Sequence, residues 1–99
     1  MNIQTISISQ TDLASRSEAS KFRVRLLKII NDDSSVNIDF QGVESISDSY
    51  ADELFGILAL SLGIEKFFRI ISIINASDRI FQVIAANIHT RISSISNAA

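Results

Sequence analysis

Residues 36–62 read VNIDFQGVESISDSYADELFGILALSL, and this stretch holds a complete strand–turn–helix unit. Val36, Ile38 and Phe40 alternate with Asn37, Asp39 and Gln41, the period-two pattern of a strand with one face in a core. Gly42 follows, where the chain can take a conformation that a Cβ opposes. Ser47, Asp48 and Ser49 each carry a side-chain oxygen able to accept from the free N–H groups of a starting helix. Beyond them Ala51, Leu54, Phe55, Leu58 and Leu62 recur at helical spacing and predict a helix over Tyr50–Leu62. Asp52 and Glu53 then fall in its first turn, where negative charge complements the helix dipole. Ile57 and Leu60 lie off the main stripe, so a second side of this helix is also apolar. Such a helix is either covered by both a sheet and a neighbour or keeps one side for a partner. Gly63 suits the position just past the helix end, with Ile64 beyond it as a hydrophobic contact.

Toward the N-terminus, residues Ile3–Ser9 place Ile6 and Ile8 on one side and Thr5, Ser7 and Ser9 on the other, which predicts a first strand. Gln10–Ala14 reads as a connection. Ser15 and Glu18 fit the reciprocal capping box of a helix start. Ala19, Phe22, Leu26, Ile29 and Ile30 form the apolar stripe of that helix, with Lys21, Arg25 and Lys28 mostly outside it. In the other direction, Phe68–Ile74 is β-branched and nearly continuous in hydrophobicity, as expected of a strand covered on both faces. Asn75–Asp78 offers caps for a further helix bearing Ile80, Phe81, Val83, Ile84 and Ile88. From His89 onward the pattern weakens: Ile92 and Ile95 allow a helical turn, while the Ser-rich end equally suits a frayed tail. The order is β-α-β-α-β-α, which predicts a small α/β domain with right-handed crossovers and a mostly parallel sheet packed against helices.

Ninety-nine residues fit one domain, with a core over about 3–90 and a tail at 91–99. Apolar residues make up 46% of the chain and charged residues 20%, enough to build one core and too apolar for a disordered segment. No uncharged apolar run approaches the roughly 20 residues that span a bilayer. The start carries neither a basic region nor an apolar core of a secretory signal, so a cytoplasmic, membrane-free protein is expected. There is no cysteine, which removes disulfides and thiolate chemistry and agrees with a reducing compartment. Nine Lys/Arg stand against eleven Asp/Glu, and the cations are scattered, so no patch suited to nucleic acid is expected. The three glycines are far apart and form no phosphate loop. A single histidine with scattered carboxylates offers no metal site. Asp52 and Glu53 are a poor catalytic pair, because neighbours on a helix point about 100° apart. A triad of Ser49, an aspartate and His89 lacks a nucleophile elbow. No catalytic residue and no cofactor are therefore expected.

Asp39-Phe40-x-Gly42-Val43, then Ile46 and a Ser-rich turn into a helix, resembles the central segment of STAS domains, found in anti-sigma-factor antagonists and anion-transporter tails. Together with Ser15-Arg16-Ser17-Glu18-Ala19 and Ala51-Asp52-Glu53-Leu54-Phe55, the match over roughly Thr11–Ile88 resembles a bacterial STAS-like family of undefined function. In the antagonists, the turn before the second helix carries a phosphorylatable serine within Asp-Ser-Ser/Thr-Gly. The unphosphorylated domain docks there on a histidine-kinase-type ATPase, an anti-sigma factor. This chain has Asp48-Ser49-Tyr50 and no following glycine. Aligned on the aspartate, Ser49 is the phospho-site; aligned without a gap from Asp39-Phe40, Asp48 stands there instead.

The resemblance thus implies a regulatory protein-binding module. Its expected contact surface comprises Arg16, Ser47, Asp48, Tyr50, Glu53, Ile57 and Leu60, with Ser49 as the phospho-site. A simpler reading of Ser47, Asp48 or Ser49 is a helix cap. The alternative function is a homodimeric interaction protein that closes through the apolar second helix. Gly56, unfavourable in a helix by up to about 1 kcal/mol relative to alanine, points to tight internal packing, or else to close approach of the sheet or of another chain's helix.

Overall fold

The computed structural model describes residues 2–97, with side chains described for residues 3–94. In chain order the elements are β1 (Asn2–Ser7), β2 (Asp12–Leu13), α1 (Arg16–Ile29), β3 (Ser34–Asp39), β4 (Ser45–Ile46) and α2 (Asp48–Ala51). A π turn, Asp52–Gly56, carries α2 without a break into α3 (Ile57–Leu62); α4 (Ile64–Ile70), β5 (Ile71–Ile74) and α5 (Asp78–Asn97) complete the chain. The main sheet has the order β1-β3-β5 and is parallel throughout, so the expected α/β architecture is the one observed.

Alternation along the strands decides which face of this sheet is dry. Ile6 pairs with Ile38 and Ile38 with Ile73, while Val36 pairs with Ile71; these side chains point toward the helices. Val36 and Ile38 are fully buried. The opposite face carries Thr5, Ser7, Asn37, Asp39 and Ser72, and Thr5, Ser7 and Ser72 are exposed. Parallel sheets are ordinarily covered on both sides, and the third strand was expected to be so. Here Thr5, Ser7, Asn37, Asp39 and Ser72 let one face stand in water, although Ile3 and Ile74 also lie on it.

The middle helix fills the space above the dry face. Ala51, Leu54, Phe55, Leu58 and Ala59 are all buried, and the Phe55 ring lies 6.1 Å from that of Phe40. Burial of each large side chain is worth about 1.5–3 kcal/mol. The stripe expected from the sequence is therefore real, except that Leu62 is half-buried and Ala59 takes a fully buried place. Its second apolar side is largely used internally too, since Ile57 and Leu60 are half-buried. Both helix starts follow the capping rule. Ser15 Oγ accepts from the Glu18 N–H at 3.2 Å, and Ser47 Oγ accepts from the Tyr50 N–H at 3.0 Å.

Three expectations need correction. Phe68-Arg69-Ile70 is helical, not strand: Gly63, at φ 86° and ψ 146°, ends one helix and starts α4, so that Phe67 and Ile70 share a buried face. Short apolar runs fit both periodicities, and the glycine decides between them. Gln10–Ala14 is more than a connection. It contains β2, which pairs with β4 (Asp12 with Ser45, Leu13 with Ile46) and buries Leu13. Residues 91–97 are not a tail but the last turns of α5, where Ile92 packs on the core.

Candidate functional site

The π turn is the point where α1 and α5 both meet the middle helix. Ile57 donates its N–H to the Asp52 carbonyl five residues back, the longer reach that defines such a turn. Asp52 and Glu53 come after a full turn begun at Asp48, so they are not first-turn residues as expected, and each is held by arginine. Asp52 faces α5: Arg91 Nε donates to Oδ1 and Nη2 to Oδ2, both at 2.8 Å. Glu53 faces α1: Arg23 Nη1 donates to its Oε2 at 2.6 Å and also to its carbonyl oxygen. Arg16, at the start of α1, bridges the two, reaching Glu53 Oε1 at 2.8 Å and Asp52 Oδ2 at 3.3 Å.

These contacts set the charge states. Arg91 above all holds the Asp52 carboxyl below its usual range; burial opposes it, and Arg16 adds to the lowering. Glu53 is lowered by Arg23 and then by Arg16. The Arg16 and Arg91 guanidinium groups are raised in turn, by Glu53 and Asp52 respectively. Gly56 makes the junction possible. A Cβ there would come within 2.8 Å of Asp52 Oδ1, 2.9 Å of Arg91 Cγ and 3.3 Å of the Asn87 carbonyl. The packing expected at this glycine is tight and internal, and the element that approaches is α5, not the sheet.

Beside this network lies a polar cleft of about 340 Å³. Arg16 and Arg91 line it with Asp48, Ser49 and Asp52, and Asn87, Thr90 and Ser94 of α5 complete it. Asn87 Nδ2 donates to Asp48 Oδ1 at 2.9 Å, tying the start of α2 to α5. Ser49 is exposed at this corner, and its hydroxyl has no hydrogen-bond partner among the described residues.

Of the surface residues expected from the sequence, the cleft brings together Arg16, Asp48 and Ser49. Ser47 is the cap: besides accepting from Tyr50 it donates to the Ala14 carbonyl at 3.1 Å, and its N–H donates to the Leu13 carbonyl at 2.8 Å. Tyr50 is not on the surface at all; it is 2% exposed, and burial pushes its phenol up. Glu53 is 14% exposed and bound by two arginines, so it is a joint between helices before it is a surface group. Ile57 and Leu60 are half-buried and give the second helix no free apolar side.

Asp52, Arg23 and Arg91 escaped the sequence reading as a linked set. The one signal for them was the spacing of four in Ile80, Ile84, Ile88 and Ile92, which carries α5 past Arg91. His89 lines a different depression from Ser49, an apolar groove of about 580 Å³ between α4, β5 and α5. The three-residue set of Ser49, an aspartate and His89 is therefore not assembled. In that groove Phe68 and Phe81 stand 62% and 52% exposed. Among the described residues no group of three or more His, Cys, Asp or Glu side chains could hold a metal, and no helix is long and apolar enough to cross a membrane.

No curated protein and no solved structure matches the chain. A family model described as a STAS-like domain of unknown function matches residues 18–81, from the first turn of α1 into α5. That span is well over half of the 99 residues and contains the π turn with Arg23, while Arg16 and Arg91 lie outside it; the chain belongs to this family of STAS-like domains.

Proposed function

We propose that the chain is a non-enzymatic regulatory module that docks on another protein through the corner Ser45–Ser49 and the cleft beside it, with Ser49 as the switch. The observation that carries this reading is the division of labour at the corner. Ser47 is spent as the helix cap and Asp48 is tied to Asn87, while the Ser49 hydroxyl stands exposed and unengaged at the cleft. That division supports Ser49 over Asp48 as the switching position. Family membership supports a regulatory role of the anti-sigma-antagonist kind. By that analogy the partner is a histidine-kinase-type ATPase or related anti-sigma factor. Ser49 Oγ then attacks the γ-phosphorus of the ATP held by the partner, the bond to ADP breaks, and the hydroxyl proton passes to a base of the partner. A phosphate adds about −1.5 to −2 of charge and removes the fit of an interface built around a neutral hydroxyl.

Affinity capture from the source cell with wild-type chain, Ser49→Glu and Ser49→Lys tests the reading. Both exposed substitutions are expected to leave the fold intact and to abolish recovery of the kinase-type partner. Full recovery by both variants would overturn it. Self-association is the second reading, favoured by the exposed Phe68 and Phe81 in the apolar groove and no longer by the second helix. Sedimentation equilibrium of wild type against Phe68→Asp separates the two, since only a dimer closed through the groove loses mass on substitution.

A further inference from the structure

The cleft at Ser49 has an unusual charge inventory. Arg16 and Arg91 bring two positive charges, and Asp48 and Asp52 bring two negative ones. Glu53, on the far side of Arg16, is shared with Arg23. The groups facing Ser49 from α1, α2, the π turn and α5 are thus balanced before any modification. Donors, however, exceed acceptors. A guanidinium has five N–H donors in a planar fork. Arg91 engages Asp52 through Nε and Nη2, and Arg16 uses only Nη1 on Asp52 and Glu53. Each arginine therefore keeps donors unspent, and each side chain is partly open to solvent, 51% for Arg16 and 36% for Arg91. Asp52 comes three residues after Ser49, so both sit on the same face of the helix, and the group that holds Asp52 also overlooks Ser49.

We propose that Arg16 and Arg91 form a two-arginine receiver for a phosphoryl group on Ser49, joining α1, α2 and α5 through it. The inference rests on Ser49 being the switch. It adds that the phosphate is not left projecting into solvent but is drawn into the cleft as a further acceptor beside Asp52. Arg–phosphate bonds are short and charge-assisted, and arginine recognises phosphate by its fork. The modification then does two things at once: it withdraws Arg16 and Arg91 from the outer surface, and it staples the first and last helices to the middle one.

The test uses full-length chain carrying phosphoserine installed at position 49 during translation, so that neither a kinase nor a docking partner is needed. A missing partner would sink the docking reading and leave this result standing. The phosphate's second ionisation is followed by 31P NMR against pH, with the same protein in denaturant as reference. Free phosphoserine titrates near pH 6, and a receiver of two arginines is expected to lower this by about one unit. Arg16→Gln and Arg91→Gln are each expected to return it toward the reference, while Arg91→Lys, which keeps the charge and loses the fork, restores it only in part. If the folded protein titrates at or above its denatured reference, the aspartates Asp48 and Asp52 dominate the site and the proposal fails. It fails equally if Arg16→Gln, which keeps both partners of the bidentate Arg91–Asp52 bond, leaves a lowered value unchanged.

Discussion

Gly56 and the Asp52–Arg91 pair occupy one point in the molecule, and the balance there can be argued to a sign. Gly56→Ala gains up to about 1 kcal/mol of helix propensity, yet its Cβ meets Asp52 Oδ1 and Arg91 Cγ at 2.8 and 2.9 Å. Neither atom can move away without opening the bidentate bond, and the Asn87 carbonyl is backbone. Overpacking of this kind costs about 1–3 kcal/mol, so a net loss of stability is expected, measured as a lower urea midpoint. Glu53→Gln leaves Arg23, 16% exposed, without its carboxylate. A charge-assisted bond lost at a largely buried site costs about 1.5–3 kcal/mol, and chemical denaturation should show it. Asp52 and Glu53 also set the acid response. Their folded pKa values are depressed relative to the unfolded ones, which lie near about 4. The unfolded chain therefore binds more protons as pH falls, and the stabilisation they give is complete above about pH 5 and is lost as pH drops through the folded values. Unfolding midpoints of Asp52→Asn plus Glu53→Gln are expected to fall less steeply than wild type between pH 5 and pH 3, taken as about one unit either side of the unfolded values. The cap serines were legible in the sequence because a cap needs only local geometry. The arginine partners were not, because they come from positions 16, 23 and 91 and no local rule connects them.

At the scale of elements, one glycine separates the correct reading of the middle helix from the incorrect reading of the segment after it. Gly63 sits at φ 86° and ψ 146°, a region essentially closed to residues with a Cβ. It permits α3 to stop and α4 to start with a single residue between them. Gly63→Ala meets no neighbouring atom within 4 Å, so its cost is purely conformational, about 1–3 kcal/mol. Circular-dichroism melts should show a lower Tm with unchanged helix content at low temperature. Phe68-Arg69-Ile70 was expected to be strand because its apolar residues satisfy both periods. Tertiary packing resolves the conflict by burying Phe67 and Ile70 on one helical face and leaving Phe68 outside. The π turn was equally illegible, since nothing in Asp52–Gly56 marks a bond reaching five residues back instead of four. Within it the neighbouring carboxylates Asp52 and Glu53 meet two different helices.

For the whole molecule, the decisive feature is that α5 packs against α2, the π turn and α3, and that Arg91 and Ile92, in the part expected to be a tail, take part in this packing. A chain ending at Thr90 loses Arg91 and Ile92 together. It should unfold at a clearly lower urea midpoint, whereas removal of a mere tail would leave the midpoint where it is. The open polar face of the sheet is the other feature of this scale. Thr5, Ser7 and Ser72 were visible as alternation, but only the assembled layers show that no helix is needed on that side. Local chemistry along the chain was enough to establish the three strands of the main sheet, their parallel pairing, the serine caps and the buried stripe of the middle helix, but not β2, β4 or α4. These depend on periodicity and on hydrogen-bonding rules that act within a few residues. Packing between distant elements is what puts Tyr50 inside, makes Glu53 a joint, and gives Ser49 a cleft shared with Arg16 and Arg91. Those outcomes depend on which helix faces which, and pairings between residues more than thirty positions apart leave no mark in local spacing.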